Sequence, residues 1–410
     1  MNALNPQLAT RDAEDASQPR EREYRRLYSA RQWFGLRDAV SGNNCHPFYR
    51  DVVACIFDCL RGDQSCFRPT LQSAGHTTQQ YEAHRLLSWM HIRKAEFKLA
   101  LPHLEAMAAH RPESRSLLAG QNLFAHFAGY PEQTVDRFQP STLVYTMVDG
   151  NLFMPAKING IPAECMVDSG AGISLITESE AKRLGIDHQA APGGPKLYAA
   201  DGNQTRYRVG IASQFETGGF RIANVAFLVL EDHQLQFAGG RQLALGLPVL
   251  LAFRTLAWRA DGKLSIGLPG GKRDLGQANL CFDSGDLAAE VSVCGKKIIF
   301  LVDTGSGATL LWPPFAKEFT QVIRQSGAIG STPLHGVSGT AEISSLTLPA
   351  LKLEIAGFVA ELRPAHVLTE PTTPNSQWLS GRLGVDVLNQ ADSVLLDFHA
   401  MKLSLNCISQ

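Results

Sequence analysis

Apolar residues recur every three or four positions through the first third of the chain, which is the spacing of helices that each bury one face. Turn residues such as Gly42, Gly62 and Pro112 separate these stretches. The stretches cover residues 24–40, 48–60, 81–90, 95–108 and 115–128. We therefore predict an all-α domain over residues 21–139, preceded by a flexible tail at residues 1–20.

From residue 140 onward, short runs of alternating apolar and polar residues replace the helical spacing. Alternation with a period of two is typical of β-strands that bury one face. A glycine-rich stretch at 269–273 has the composition of a linker. The prediction is a mostly β, two-lobed region with lobes at 140–268 and 279–410 and a linker at 269–278, so the whole chain belongs to the α+β multidomain class. The alternating runs cover residues 143–148, 153–158, 206–211 and 222–229.

The two lobes repeat one another. Asp168 and Asp303 each end an apolar run, are followed by a small hydroxyl residue and a glycine, and lie 135 residues apart (303 − 168). The pairs Asn159-Gly160 and Cys294-Gly295 precede them at equal distances and are typical of hairpin turns. We interpret this order as a tandem duplication. Later landmarks follow at offsets of 135 to 139 residues: the turns at 201–202 and 336–339, Gly246 and Gly384, and the strands at 262–266 and 401–405.

A pair of aspartates has a specific chemical use. Two carboxyl groups about 3 Å apart cannot both ionise comfortably, so they share one proton, and one acts as a base while the other acts as an acid. Hydrolysis of an amide needs both actions, on the attacking water and on the carbonyl oxygen. Asp168 and Asp303 are therefore the predicted catalytic residues, with no metal and no cofactor.

The residues after each aspartate are predicted to support the pair. Gly170 and Gly305 let the backbone turn sharply and let the two loops approach each other. Ser169 and Thr304 can hydrogen-bond across the junction and hold the loops rigid.

One position differs between the copies. Ser306 follows the second motif, whereas Ala171 follows the first. Only Asp303 would then have a nearby hydroxyl to steady its ionised form, and we predict that Asp168 carries the shared proton.

The motifs at 166–171 (Met-Val-Asp-Ser-Gly-Ala) and 301–306 (Leu-Val-Asp-Thr-Gly-Ser) are similar to the active-site signature of aspartic proteases. With the later segment 383–388 (Leu-Gly-Val-Asp-Val-Leu), the chain resembles the retropepsin-like branch over about residues 145–406. The resemblance implies an aspartic endopeptidase that acts on polypeptides. Because both aspartates lie in one chain, as in pepsins, it also implies activity as a monomer.

The same resemblance implies that the second turn of each lobe is a flap that closes over the substrate. In the first lobe this is the Asp201-Gly202 turn, near which Tyr198 lies, although alternation in a hairpin explains that tyrosine equally well. The candidate substrate-binding residues are Tyr198, Asp201, Gly202, Gly336, Ser338 and Gly339.

Residues 84–112 in the front third resemble a tetratricopeptide-type helical hairpin. Two interpretations of the helical domain stay open. It packs on the neighbouring lobe, or it is a platform that docks a peptide or a protein partner.

The composition limits the classes of partner that the protein can bind. The 410 residues are 44% hydrophobic and carry a formal net charge of −1 with no long basic block, which excludes a nucleic-acid footprint. The longest apolar stretch, 243–253, contains Gly246 and Pro248 and is too short to cross a membrane. The chain as written begins with polar and then charged residues, so no secretion signal is predicted from it.

The eight cysteines lack the paired C-x2-C spacing of zinc sites. Disulfides are favoured over buried thiols and over zinc, and Cys281 with Cys407 is a candidate pair. Cysteine usage and the family resemblance favour a periplasmic or secreted protein over a cytoplasmic one.

The sequence leaves one principal alternative to hydrolysis open and gives little support to others. The principal alternative is a catalytically silent aspartic-protease fold that binds peptides and is coupled to a helical partner-docking domain. A nucleotide loop at 305–307 lacks the further glycine of the dinucleotide motif, and no G-x-S-x-G serine-hydrolase motif is present.

Overall fold

The computed structural model describes residues 19–41, 45–58, 66–73, 77–191, 193–194, 197–198, 204–235, 237–272, 274–336 and 339–407. Over these residues, helices precede a mostly β region with two lobes, and the predicted fold class is confirmed. None of the helices in the described ranges has the length and apolar character that a membrane crossing requires.

The front of the chain is helical, and its capping residues match its sequence. Thr77 and Gln80 form a reciprocal capping box at the start of the longest of these helices. The single helix predicted for residues 24–40 is wrong, because the backbone of Arg31 has a positive φ of 51° and separates two helices. The helices are α1 (Pro19–Ser29), α2 (Trp33–Val40), α3 (Pro47–Ile56), α4 (Arg68–Gln72), α5 (Thr78–Ile92), α6 (Phe97–His110) and α7 (Arg115–Ala128).

Helices α5, α6 and α7 follow one another through short connections and share buried apolar residues. Phe97 of α6 stacks on Phe127 of α7 with ring centroids 4.9 Å apart. The tetratricopeptide character of this arrangement stays a prediction.

The first lobe takes in a strand before the predicted boundary at residue 140, because residues 134–137 pair with its sheet. Its strands are β1 (Thr134–Arg137), β2 (Ser141–Val144), β3 (Thr146–Val148), β4 (Asn151–Ile158), β5 (Ile161–Val167), β6 (Ser174–Thr177), β7 (His188–Ala190), β8 (Leu197–Tyr198), β9 (Gln204–Thr205), β10 (Arg208–Thr217), β11 (Phe220–Leu230), β12 (Leu243–Leu245), β13 (Thr255–Arg259) and β14 (Lys263–Ile266). Its helices are α8 (Glu178–Arg183) and α9 (Leu247–Ala252).

The second lobe begins after the predicted linker. Its strands are β15 (Leu280–Asp283), β16 (Asp286–Val293), β17 (Lys296–Val302), β18 (Leu310–Leu311), β19 (Ala328–Gly336), β20 (Gly339–Leu348), β21 (Leu351–Ile355), β22 (Phe358–Leu362), β23 (Ala365–Leu368), β24 (Gly381–Leu383), β25 (Ser393–Asp397) and β26 (Lys402–Asn406). Its helices are α10 (Pro313–Glu318), α11 (Thr320–Ser326) and α12 (Val385–Leu388).

The two lobes have the same strand arrangement. In the first, β12 pairs parallel with β5 and antiparallel with β6, and in the second, β24 pairs parallel with β17 and antiparallel with β18. The turn residues Asn159-Gly160 and Cys294-Gly295 all have positive φ, as a tight two-residue hairpin requires. This agreement supports the tandem duplication.

The lobes are joined by a shared antiparallel sheet with the order β2-β14-β13-β25-β26. Its centre is the pairing of β13 with β25, in which Ala257 lies opposite Leu395. These are equivalent strands, since residues 255–259 and 393–397 differ by a constant 138 (393 − 255). A pseudo-twofold axis therefore passes between Ala257 and Leu395.

The helices dock on both lobes. The Arg93 guanidinium donates to the Ser284 carbonyl (2.9 Å), and the Arg85 guanidinium donates to the Ser284 hydroxyl (2.7 Å). The Trp89 ring packs on Gly285, where a Cβ would come within 2.6 Å of it. On the other side, apolar residues of α6 and α7 share a buried cluster with residues of β4, β5 and β11. The helical part is thus held against the turn between β15 and β16 and against lobe 1.

The predicted disulfide between Cys281 and Cys407 is wrong. Both thiols are free, with Cys281 buried and Cys407 exposed. Cys45, Cys165 and Cys294 are also free, and Cys59 lies outside the described residues. These thiols therefore give no support to the inference of an oxidising compartment.

Candidate active site

Asp168 and Asp303 occupy equivalent positions at the ends of β5 and β17. The apolar residues before each aspartate are buried, which fixes the strand ends inside the lobes. The Asp168 backbone N–H donates to the Leu245 carbonyl (3.1 Å), and the Asp303 N–H donates to the Leu383 carbonyl (3.0 Å). The parallel neighbours β12 and β24 thus anchor the two loops in the same way.

The hydroxyl residues after the aspartates cross-link the two loops. The Ser169 N–H donates to the Thr304 hydroxyl (2.9 Å), and the Thr304 N–H donates to the Ser169 hydroxyl (3.1 Å). Each hydroxyl then donates to a carbonyl of the opposite strand, Ser169 to Val302 (2.7 Å) and Thr304 to Val167 (2.8 Å). All four bonds are buried, so the two loops form one rigid junction.

The glycines allow the two aspartates to approach. A Cβ on Gly170 would lie 2.5 Å from Asp303 Oδ1, and a Cβ on Gly305 would overlap the Asp168 carboxyl group. Only glycine fits either position without separating the loops.

Each carboxyl group lies against the glycine of the opposite loop, and the hydrogen-bond donors of the two groups differ. Asp168 Oδ1 accepts from the N–H groups of Gly170 (2.9 Å) and Ala171 (3.1 Å), whereas Asp303 Oδ1 accepts from Gly305 (3.1 Å). Burial, and then the neighbouring charge of Asp303, hold the pKa of Asp168 well above its ordinary value. Protonation of this pair belongs to both groups together.

Sequence reasoning did not predict Arg382. It lies on β24, and its Nη1 atom is 3.6 Å from Asp303 Oδ2. The paired strand in lobe 1 has Ala244 at the equivalent position, two residues before the repeated glycine. The sequence does show one sign of this arginine, because the two copies differ at this position. Its meaning became visible only through the parallel pairing of β17 with β24.

The Ser306 backbone N–H donates to the Asp303 carbonyl (3.2 Å), but its hydroxyl has a partner other than the Asp303 carboxylate predicted for it. The Ser306 hydroxyl donates to the Ala308 carbonyl (2.9 Å), because the chain turns back there. The side chain that lies beside the Asp303 carboxylate is therefore that of Arg382, and the Ser306 hydroxyl points elsewhere.

A second pair of equivalent residues, Asn151 and Asp286, also escaped sequence reasoning. Extension of the β4–β5 ladder places Asn151 opposite Asp168, and extension of the β16–β17 ladder places Asp286 opposite Asp303. The Asn151 amide donates to the Gly305 carbonyl (2.9 Å). Asp286 accepts from the Asn375 amide (3.1 Å), and burial raises its pKa to about 6.

The predicted flap residues are only partly described. Tyr198 lies on β8, which pairs with β9, and Gly336 lies opposite Gly339 at the end of the β19–β20 hairpin. Asp201, Gly202 and Ser338 lie outside the described residues. The flap assignments therefore stay predictions.

The described residues include no group of three or more histidine, cysteine, aspartate or glutamate side chains that could hold a metal ion.

Comparison with known proteins points in the same direction as the geometry. A family model described as aspartyl protease matches residues 154–249, which include the first aspartate motif. This match supports aspartic protease chemistry. No curated protein sequence matches the chain.

Several solved structures are similar to the chain. A retropepsin-like aspartic protease from Rickettsia conorii is 16% identical, with 33% of this chain and 96% of that one covered and a TM-score of 0.25. An aspartic proteinase from Irpex lacteus is 11% identical, with 66% and 98% covered and a TM-score of 0.41. Basic 7S globulin from soybean is 11% identical, with 66% and 95% covered and a TM-score of 0.39.

Proposed function

We propose that the chain is an aspartic endopeptidase that works as a monomer, with Asp168 and Asp303 as the catalytic pair. The observation that carries this proposal is the reciprocal hydrogen bonding of Ser169 and Thr304, which joins the two aspartate loops into one buried junction. A turn that only connects strands has no need of such a cross-link, whereas a shared proton requires fixed carboxyl groups.

The asymmetry of the pair assigns a role to each member. Burial favours the protonated form of Asp168, and the Arg382 guanidinium lies as a positive neighbour 3.6 Å from Asp303 Oδ2. Ionised Asp303 takes a proton from a water molecule as the water attacks the substrate carbonyl carbon. Asp168 gives its proton to the carbonyl oxygen, which produces a tetrahedral diol.

Breakdown of the diol completes the reaction. Asp303 returns its proton to the departing amine nitrogen, and Asp168 recovers a proton from a diol hydroxyl as the carbonyl re-forms. The products are a carboxylic acid and an amine, and both aspartates return to their starting states.

The test is a cleavage profile on a mixture of proteome-derived peptides between pH 3 and pH 8. We expect Asp168→Asn and Asp303→Asn each to lower the rate by about 10³-fold or more, because the isostere keeps the shape but removes the acid–base group. Asp187→Asn, an exposed residue in the loop after α8, is the matched control and should keep the wild-type rate.

A wild-type rate in either asparagine variant would contradict the proposal. A folded wild-type protein that binds peptides and cleaves none of them would instead favour the catalytically silent alternative.

A further inference from the structure

A cavity of about 610 Å³ lies between the helical part and lobe 2. Its size is within the range of ligand-binding pockets. From the helical side it is lined by Arg31, Arg85, Arg111 and Arg115, and from lobe 2 by Asp286 and Trp378, among others. None of these residues has a role in the chemistry proposed above.

The cavity adjoins the catalytic pair. Asp286, one of its lining residues, is the cross-strand neighbour of Asp303 in the extended β16–β17 ladder. Burial raises the pKa of Asp286 most, and the charges of Asp283 and then of Asp303 raise it further. The cavity therefore begins beside the strand end that lies next to Asp303.

The positive groups in the cavity are of two kinds. Arg31 pairs with Asp283, and Arg85 pairs with Glu82 at 2.9 Å, so these two are neutralised by the protein. Arg111 is held over the Tyr81 ring, 4.4 Å from its centroid, and Arg115 is the first residue of α7. Among the described residues no ion pair involves Arg111 or Arg115, although Glu113 lies between them in the sequence.

Trp378 packs on Arg31 in the wall of the cavity. Its ring lies under the Arg31 guanidinium at 4.2 Å, and its indole N–H is buried without an acceptor among the described residues. A buried N–H without an acceptor costs free energy, so the Trp378 ring is held in place by its packing and not by a hydrogen bond of its indole.

We propose that this cavity binds a carboxylate of the polypeptide substrate, with Arg111 and Arg115 as the recognising residues. Guanidinium groups bind carboxylates through paired, charge-assisted hydrogen bonds, so the cavity selects substrates that carry an acidic side chain or a free C-terminus close to the scissile bond. The substrate preference rests on the proposed protease function, but the binding of acidic peptides does not.

The test uses three internally quenched peptides that share one cleavage sequence. The first carries glutamates on one side of the scissile bond and an amidated C-terminus. The second has glutamines at the same places and an amidated C-terminus, and the third has glutamines and a free C-terminus. The peptides are also made with the substituted residues on the other side of the bond.

For the wild type, we expect KM to be about tenfold lower for the glutamate peptide, the free C-terminal peptide or both than for the amidated glutamine peptide, with kcat unchanged. In Arg111→Gln/Arg115→Gln this advantage should fall below about twofold, while the amidated glutamine peptide is cleaved as before. Arg50→Gln, an exposed arginine on α3, is the matched control. Which acidic peptide gains identifies the source of the carboxylate.

Equal KM values for all three wild-type peptides, or an equal loss for all three in the double variant, would overturn the proposal. A second measurement separates it from the protease function. Fluorescence anisotropy with labelled acidic peptides and Asp303→Asn reports binding without turnover. Tight binding that depends on Arg111 and Arg115 would support the cavity even if no peptide were cleaved.

Discussion

At the scale of single residues, Arg382 makes the surroundings of the two aspartates chemically different. Its Nη1 atom lies 3.6 Å from Asp303 Oδ2, and lobe 1 supplies only the methyl group of Ala244 at the equivalent place. The duplicated lobes therefore present two chemically different surroundings to two identical side chains.

This arrangement makes the acidic limb of the pH profile depend on Arg382. In Arg382→Met the ionised form of the pair loses its positive neighbour, so the limb of kcat/KM against pH should move up by about one pH unit. Arg382→Lys restores the charge and should move it most of the way back. An unchanged profile in Arg382→Met would show that the arginine does not act on the pair.

The raised pKa of Asp286 predicts that the free energy of unfolding depends on pH. Burial raises its pKa from 3.8 to about 6, so the folded protein favours the protonated form. The contribution of the protonated Asp286 carboxyl group to the free energy of unfolding is complete below pH 3.8 and is lost as the pH rises through 6. At pH 8, Asp286→Asn should therefore unfold at a higher temperature than the wild type, because its free energy of unfolding is about 2 kcal/mol larger. At pH 3.5 the two proteins should differ little.

Thermal unfolding followed by circular dichroism at several pH values measures this difference. Asp187→Asn should show no such trend. A constant effect of Asp286→Asn across the pH range would contradict the assignment.

At the scale of elements, the two aspartate loops act as one unit. The Ser169 hydroxyl donates to the Val302 carbonyl and accepts from the Thr304 N–H, and both partners are buried. In Ser169→Ala these two groups lose their partners, so we expect a loss of about 2–4 kcal/mol in unfolding free energy and a reduced rate of peptide cleavage.

Urea denaturation of the purified variant gives the free energy. Ser326→Ala, which removes an exposed helical hydroxyl, is the control and should stay within about 0.5 kcal/mol of the wild type. A small effect of Ser169→Ala would mean that the junction tolerates water in place of the hydroxyl.

Local patterns predicted these elements well where the structure depends on local chemistry. The two-residue turns at 159–160 and 294–295, the strands that end in Asp168 and Asp303, and the helical front were all visible in the sequence. The break between α1 and α2 was not, because apolar residues keep a helical spacing on both sides of Arg31.

Contacts between distant strands and helices were beyond such patterns. Arg382 reaches Asp303 only because β24 pairs with β17, and Asp286 reaches the cavity only because α5 docks on the turn before β16. No periodicity or motif encodes either contact. The Ser306 hydroxyl donates to the Ala308 carbonyl and not to Asp303 for a different reason, since a nearby position in the sequence did not fix its direction.

At the scale of the whole molecule, a few side chains fasten the helical part to lobe 2. The Arg93 guanidinium lies 4.0 Å from the Phe282 ring centroid and donates to the carbonyls of Ser284 (2.9 Å) and Cys55 (3.3 Å). In Arg93→Ala these contacts disappear, so amide hydrogen exchange should become faster at 280–286 and in the last turn of α5.

Hydrogen exchange followed by mass spectrometry resolves these segments. Arg50→Ala should leave them unchanged, because Arg50 is exposed on α3. Exchange that stays at the wild-type rate in Arg93→Ala would show that other contacts suffice to hold the helices.

The position of the helices has a consequence for how a polypeptide could lie across the aspartate pair. A perfectly twofold site accepts an extended polypeptide equally well in either N-to-C direction, because both halves are the same. Here the turn at Ser284-Gly285 meets α5, whereas the equivalent turn at Asp149-Gly150 meets Asn389 of the opposite lobe. The two sides of the aspartate pair thus differ, and a polypeptide bound across the pair would have a single favoured polarity.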